Sequence, residues 1–124
     1  MTTVLLVDDH PLMRKGIRAV LEEYVDIHVV GEASNGLEAV QYAKEFQPAV
    51  IVMDVNMPRM DGVQATRMIK EVQPSVVIIG LSVNQAGSVR EAMLRAGASE
   101  YLNKEDVGAD LYETICRVRA NTTP

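Results

Sequence analysis

The sequence is poor in disulfide-forming and large aromatic residues: it has one cysteine, one phenylalanine and no tryptophan in 124 residues. The lone cysteine, Cys116, cannot form an intramolecular disulfide, which favours a reducing compartment. A single domain of this length removes roughly 65–70% of the unfolded chain's surface from water, so an apolar core can hold the fold. We expect Cys116 to be a small buried residue on a helix.

Long apolar runs are also missing. The longest ones, at 49–53 and 76–79, are much shorter than the roughly 20 residues that span a bilayer. No basic segment precedes the first apolar stretch, so the sequence predicts no signal peptide. These features predict a cytoplasmic protein that makes no contact with a membrane.

Positive charge is in deficit, since 12 Lys and Arg oppose 17 Asp and Glu for a formal net charge of −5. Such a balance argues against binding of nucleic acid by bulk electrostatics. A cation site, or a basic surface on a partner protein, explains the acidic composition more readily.

Short continuous apolar runs recur along the chain. The runs are at residues 4–7, 27–30, 50–53, 76–79 and, more weakly, 99–102. Most of their residues are aliphatic or β-branched and do not alternate with polar ones. This pattern is typical of strands that are buried on both faces of a parallel sheet.

Segments with a helical period separate these runs. Two of the segments begin with residue pairs that resemble capping boxes, Asn35 with Glu38 and Asp61 with Gln64. The chain therefore repeats a β-α unit five times, which predicts an α/β fold with a parallel sheet and helices on both sides. We expect one domain over residues 1–120, with 121–124 as a tail or the stump of a linker.

Polar side chains follow four of the five predicted strands. Asp8 and Asp9 follow the first, Asp54 the third, Ser82 the fourth and Lys104 the fifth. Ligand sites in open α/β sheets lie beyond the carboxyl ends of the strands, so we expect these side chains to converge.

The converging side chains favour one kind of chemistry. Carboxylates that lie close together repel one another unless a cation is present. Oxygen ligands without histidine or cysteine select a hard ion such as Mg²⁺. A lysine and a hydroxyl supply the point charge and the hydrogen-bond donor that a phosphoryl group needs. The set as a whole describes phosphoryl transfer to an aspartate.

Each of these residues also has a plainer explanation when it is taken alone. Asp8 and Asp9 could cap a helix, and Asp54 could begin a turn. Ser82 could be an ordinary loop residue and Lys104 a solvated charge. Their occurrence together at strand ends, in the order acid, acid, hydroxyl, lysine, favours the chemical explanation.

Several segments resemble the receiver domain of two-component response regulators, and the resemblance extends from residue 3 to about 119. They are 4–9 (VLLVDD), 52–62 (VMDVNMPRMDG) and 97–104 (GASEYLNK), together with Ser82. The segment DDHPL with Arg14 and Gly16, and the segment VGEASNG, look most like the NarL/FixJ class. The segment IGLSVN, with the pairs at 104–105 (KE) and 111–112 (LY), is also similar to the C-terminal receivers of hybrid sensor kinases. The resemblance implies a flavodoxin-like (CheY-like) fold with five helices and strand order 2-1-3-4-5.

The resemblance also implies a magnesium-dependent phosphoacceptor site. Asp54 would accept the phosphoryl group. Mg²⁺ would be bound by the carboxylates of Asp9 and Asp54 and by the backbone carbonyl of Asn56, while Asp8 would hold a water of the ion. Ser82 would bind a phosphoryl oxygen.

Two further roles are implied at the fifth repeat. Lys104 would bind a phosphoryl oxygen together with Ser82, and Tyr101 would be an aromatic switch that repacks when Ser82 moves. The sequence departs from the family pattern after Lys104, where Glu105 replaces the usual proline and its cis bond. Because a non-prolyl cis bond costs about 2.5–4 kcal/mol, we expect a trans Lys104–Glu105 peptide.

Polar neighbours of the predicted site have simpler expected roles. Asn56 and Asn84 flank the site with short amides that can hold a water, which predicts moderate self-dephosphorylation. His10 lies where the first helix begins, and we expect a capping or surface contact from it and not metal ligation.

The implied function is a signalling switch and not a metabolic enzyme. A histidine kinase or phosphotransfer protein would phosphorylate Asp54, and the domain would catalyse its own phosphorylation and dephosphorylation. The phosphorylated domain would control a partner or an output domain, a helix-turn-helix or kinase module outside this chain, and dimerisation could depend on phosphorylation. An aspartate-nucleophile phosphatase is an alternative, but Asn56 stands where the second acid is needed. A flavin-binding module is disfavoured because Asp8 and Asp9 would repel its phosphate.

Overall fold

The computed structural model describes the backbone of residues 1–83 and 87–122, and the side chains of 1–83 and 87–120. Asn84 lies outside the described residues. Five strands and five α-helices alternate along the chain, as the hydrophobic pattern predicts. The strands are β1 (Thr2–Val7), β2 (Ile27–Ala33), β3 (Val50–Asp54), β4 (Val77–Ser82) and β5 (Glu100–Asn103). The helices are α1 (Pro11–Glu22), α2 (Gly36–Phe46), α3 (Gly62–Val72), α4 (Gly87–Ala96) and α5 (Val107–Thr122), with a 3₁₀ turn at Lys104–Asp106.

The strands form one parallel sheet in the order β2-β1-β3-β4-β5, which confirms the predicted fold class. One face of the sheet packs against α1 and α5 through a cluster that includes Leu21 and Leu111. The other face packs against α2, α3 and α4 through a cluster that includes Ala39, Ile69 and Met93. The sheet is therefore buried on both faces, as continuous apolar strands require.

The register of the strands brings their carboxyl ends to one edge. Val7 at the end of β1 pairs with Met53, the residue before Asp54. Asp54 pairs with Leu81, the residue before Ser82, and Ser82 pairs with Asn103. The polar residues that end or follow β1, β3, β4 and β5 consequently lie on neighbouring strands at one edge of the sheet.

The two predicted helix caps are present, with one difference. Asn35 Oδ1 accepts a hydrogen bond from the backbone N–H of Glu38 (2.9 Å), and Asp61 Oδ1 accepts one from that of Gln64 (2.9 Å). The Glu38 carboxylate does not close a capping box on Asn35. It accepts instead from the backbone N–H (2.8 Å) and the hydroxyl (2.7 Å) of Ser34.

Helix α5 differs from the sequence prediction in two respects. Cys116 is exposed and not buried, because the inward face of the helix is occupied by Leu111, Ile115 and Val118. The helix also continues to Thr122, so the first two residues of the predicted tail are helical. In the part of the chain that the structure describes, no helix combines the length and the apolar character needed to cross a membrane.

Candidate functional site

A buried lysine lies between two buried carboxylates at the carboxyl edge of the sheet. The Nζ atom of Lys104 is 2.9 Å from Asp8 Oδ2 and 3.2 Å from Asp54 Oδ1. Asp8 follows β1, Asp54 ends β3, and each residue is at most 2% exposed. The fold thus brings together residues that are 46 and 50 positions apart in the sequence, as the strand-end argument predicts.

The electrostatics of this site leave negative charge in excess. Burial, and then the neighbouring charge of Asp8, raise the pKa of Asp54 to about 6, although Lys104 opposes this shift. Burial by itself would lower the pKa of Lys104, but its contacts with Asp8 and Asp54 more than offset that, so the pKa is raised and the ammonium stays charged. Among the described residues, the Lys104 ammonium therefore faces two buried carboxylates, with a third, that of Asp9, close by.

The carboxylates satisfy the requirements of a cation site. Asp8, Asp9, His10 and Asp54 each offer a ligand atom, and these atoms lie within 4.8 Å of one another. Asp54 Oδ2 is buried and has no hydrogen-bond partner among the described residues, and the buried Asp9 Oδ1 has only the His10 ring nitrogen nearby, at 3.0 Å. A buried carboxylate oxygen without a partner is costly, and a divalent cation would satisfy it. Because most of the donor atoms are oxygens, the set fits a hard ion such as Mg²⁺.

The remaining predicted site residues lie on β4, on β5 and in the loop after β3. Ser82 is buried at the end of β4, beside β3. Asn56 is exposed and, with Asp54 and Lys104, lines an open cavity of about 330 Å³. Tyr101 lies further back on β5, half-buried, with its ring against Gly80.

The loop after β5 keeps Lys104 in place without a proline. The Lys104–Glu105 peptide is trans, as expected, and Lys104 still reaches both carboxylates. Asn103 Oδ1 accepts a hydrogen bond from the backbone N–H of Glu105 (2.9 Å) and so caps the 3₁₀ turn. A side-chain cap therefore stabilises a turn in which Glu105, and not a proline, follows the lysine.

Sequence reasoning missed a polar network behind Asp8. Arg14 Nη1 donates to the backbone carbonyl of Asp8 (2.7 Å), and its Nε donates to Glu32 Oε1 (2.7 Å). Arg18 Nη1 donates to the other oxygen of Glu32 (2.5 Å). The only signal in the sequence is the i, i+4 spacing of the two arginines on α1, which does not reveal their partner on β2.

The fold and the site define a class of protein: a parallel α/β domain with buried acids and a lysine at the carboxyl edge of its central strands. The chain belongs to the response regulator receiver domain family, since the family model described as "Response regulator receiver domain" matches residues 4–116. Receiver domains of this family are phosphoacceptor switches in two-component signalling. This membership does not favour the phosphatase alternative.

Relatives agree with this assignment. The chain is 36% identical over 118 residues to the nitrate/nitrite response regulator protein NarL of Escherichia coli K12, covering 95% of this chain and 55% of NarL. It is 46% identical over 125 residues to a protein-glutamate methylesterase/protein-glutamine glutaminase of Methanococcoides burtonii, covering 96% of this chain and 35% of that protein. The chain thus spans from about a third to about half of the length of these curated relatives.

A solved structure shows the same fold. The crystal structure of a LuxR-family two-component response regulator from Aurantimonas sp. SI85-9A1 superposes with a TM-score of 0.93 at 32% identity, over 98% of this chain and 86% of that one. The predicted likeness to the NarL class is confirmed by these relatives. The likeness to receivers of hybrid sensor kinases stays a prediction.

Proposed function

We propose that Asp54 is the phosphoacceptor of this receiver and that a histidine kinase or a histidine phosphotransfer protein is the donor. The observation that carries the proposal is the position of Asp54: its buried carboxylate contacts Lys104 and still lines the open cavity. Asp8 is buried too, but it does not line that cavity. A phosphorylated imidazole entering the cavity would therefore meet Asp54.

The transfer itself follows from these positions. A carboxylate oxygen of Asp54 attacks the phosphorus of the donor phosphohistidine, and an acyl phosphate P–O bond forms. The P–N bond breaks, its electron pair stays on the imidazole nitrogen, and that nitrogen takes up a proton. Lys104, whose Nζ is 3.2 Å from Asp54 Oδ1, would bind one phosphoryl oxygen, and the Ser82 hydroxyl would donate to another.

Mg²⁺ would be held by residues that offer it oxygen atoms. Asp9 and Asp54 would bind through their carboxylates and Asn56 through its backbone carbonyl, while Asp8 would bind a water of the ion. When bound, Mg²⁺ supplies positive charge that offsets the charge of the acids and of the phosphoryl oxygens. The buried Asp54 Oδ2, which has no hydrogen-bond partner among the described residues, supports this assignment.

Phosphorylation would then change the packing around β4 and β5. A hydrogen bond from Ser82 to the phosphoryl group would shift the end of β4, and Tyr101 would repack as an aromatic switch. Tyr101 is suited to this role because it is half-buried and its ring lies against Gly80 of β4, where an added Cβ atom would lie only 3.2 Å from a ring carbon. Conversion of a local charge into a change of packing is how phosphorylation controls a surface.

The wider role proposed for the protein follows from its membership of the receiver domain family. The chain would act in the cytoplasm as a signalling module that phosphorylates and dephosphorylates itself and has no metabolic activity of its own. Residues 1–120 would be the receiver, and 121–124 would lead to an output domain, either DNA-binding or kinase. The receiver itself would not bind nucleic acid, and it could dimerise when phosphorylated.

Acetyl phosphate with Mg²⁺ tests the acceptor directly. Intact-mass spectrometry should show one added phosphoryl group on the natural chain and none on Asp54→Asn. Asp61→Asn is the matched control, because Asp61 is an exposed acid that caps α3 and is not among the clustered ligand atoms of Asp8, Asp9, His10 and Asp54. Equal labelling of the natural chain and Asp54→Asn would refute the proposal.

A further inference from the structure

The side chain of His10 faces the acids of the site and not the helix that it precedes. His10 is the N-cap residue of α1, but its side chain makes no capping hydrogen bond. Its Nδ1 atom is instead 3.0 Å from Asp9 Oδ1 and 3.2 Å from Asp8 Oδ1. Of the two expected roles, a capping or a surface contact, the capping hydrogen bond is absent, and the exposed ring contacts two acids instead.

We propose that this site also takes a first-row transition ion such as Co²⁺, Ni²⁺ or Zn²⁺, with His10 Nδ1 as a ligand beside Asp9 and Asp54. The inference rests on the metal site proposed above and adds an imidazole to its ligands. Imidazole favours these ions over Mg²⁺, which prefers carboxylate, carbonyl and water oxygens. A transition ion bound in this way would compete with Mg²⁺ for the same two carboxylates.

The distances fit such a ligand set. Two neighbouring ligand atoms on an octahedral ion with bonds of about 2.1 Å lie about 3.0 Å apart. The separation of His10 Nδ1 and Asp9 Oδ1 is 3.0 Å, and the ligand atoms of the group lie within 4.8 Å of one another. The ring needs little movement to share an ion with Asp9, and its 67% exposure lets an ion approach from solvent.

A second, independent observation comes from the buried carboxylate of Asp54. Its side chain is 3% exposed and Lys104 pairs with Oδ1, while Oδ2 has no hydrogen-bond partner in the described part of the chain. Asp54 and His10 line the same cavity. A buried oxygen without a partner, beside an imidazole and a second acid, is the arrangement that a bound cation would complete.

Asp8 is not free to be a direct ligand. Its Oδ1 accepts the backbone N–H of His10 (2.8 Å), and its Oδ2 pairs with Lys104 (2.9 Å). Of the acids and histidines that the structure describes in this cluster, Asp9, His10 and Asp54 remain for direct ligation, two carboxylates and one imidazole. The remaining positions of the ion would be filled by water or by the Asn56 carbonyl.

Separate titrations with Co²⁺ and Mg²⁺ test the proposal. Co²⁺ is followed by its visible absorption and Mg²⁺ by amide NMR, on the natural chain, His10→Ala, His10→Gln and His28→Ala. Loss of an outer partner of a ligand typically costs about 10–100-fold in metal affinity, so loss of the ligand itself should weaken Co²⁺ at least about tenfold. Mg²⁺ affinity should change less than about twofold, because His10 is not a ligand that Mg²⁺ prefers.

The control is the other of the two histidines in the chain. His28 is exposed on β2, and His28→Ala should leave both titrations unchanged. Equal changes for the two ions in the His10 variants, or an unchanged Co²⁺ affinity, would overturn the inference and indicate a simple hydrogen bond between His10 and Asp9.

One more variant separates this inference from the proposed function. Asp9→Ala should weaken the binding of both ions. Suppose that Mg²⁺ binds the natural chain and is lost in Asp9→Ala, but that the His10 variants bind Co²⁺ as tightly as the natural chain does. In that case only the role of His10 as a ligand fails. If neither ion binds the natural chain at this edge of the sheet, the metal site itself fails and the inference with it.

Discussion

The guanidinium of Arg14 holds the backbone of Asp8: Nη1 donates to the Asp8 carbonyl oxygen over 2.7 Å. The same guanidinium is fixed by Glu32, which accepts from Arg14 Nε over 2.7 Å. These contacts anchor the end of β1 to α1 and β2, next to the acids Asp8 and Asp9. This contact makes Arg14 a positioning residue for Asp8 and Asp9.

We predict that Arg14→Ala weakens Mg²⁺ binding by roughly tenfold without removing any ligand, as outer-sphere changes at metal sites do. The measurement is a Mg²⁺ titration followed by amide NMR. Arg95→Ala is the control, since Arg95 forms an exposed i, i+4 pair with Glu91 on α4. The same Mg²⁺ affinity in both variants would contradict a positioning role for Arg14.

The raised pKa of Asp54 predicts a pH-dependent gain in stability when this carboxylate is removed. A carboxyl group with a pKa of about 6 in the folded state and about 4 in the unfolded state binds its proton more tightly when folded. Its contribution to stability therefore falls as the pH rises from about 4 to about 6. Asp54→Asn should stabilise the metal-free protein at pH 7 by on the order of 1–3 kcal/mol.

Urea unfolding at several pH values measures this effect. The difference between Asp54→Asn and the natural chain should shrink below about pH 4, where the carboxyl group is protonated in both states. Millimolar Mg²⁺ should also reduce this difference in stability at pH 7, since the ion binds the folded natural chain and not the unfolded chain or the variant. A difference that is independent of pH would show that the charge of Asp54 is not what destabilises the fold.

The loop after β3 returns so closely to the strand that only glycine fits at position 62. A Cβ atom at Gly62 would overlap the backbone carbonyl of Asp54. We predict that Gly62→Ala lowers the free energy of unfolding by more than about 2 kcal/mol, because backbone at the site must move. The matched control is Gly16→Ala in the middle of α1, where, apart from the helix's own backbone, no described atom lies within 4 Å of the added Cβ.

Gly16→Ala should raise the free energy of unfolding by up to about 1 kcal/mol, because alanine favours a helix more than glycine does. Thermal or urea unfolding of the two variants under the same conditions gives the comparison. Similar small effects from both substitutions would mean that the close approach of Gly62 to Asp54 is easily relaxed.

Most of the fold and the centre of the site follow from local patterns in the sequence. Continuous apolar runs locate the strands, and their alternation with helices requires parallel pairing. The carboxyl ends of the strands then meet at one edge, so Asp8, Asp54, Ser82 and Lys104 converge without any long-range information. The family resemblance supplied the strand order and the individual roles.

The features that the sequence did not predict depend on the orientation of individual side chains. The contact of Arg14 with the Asp8 carbonyl depends on how α1 is rotated above β1 and β2. Cys116 is exposed because it lies beside, and not on, the face of α5 formed by residues 111, 115 and 118. The orientation of the His10 ring is equally a matter of one side-chain rotamer, which no spacing in the sequence encodes.

The central claim, that Asp54 is the residue that carries the phosphoryl group, is tested most directly by locating the modification. Borohydride reduces an acyl phosphate, and the aspartate that carried it becomes homoserine. After treatment with acetyl phosphate and Mg²⁺, followed by borohydride, peptide mass spectrometry should find homoserine at position 54. Homoserine at position 8 or 9, or a phosphoryl group on a residue other than an acid, would contradict the account.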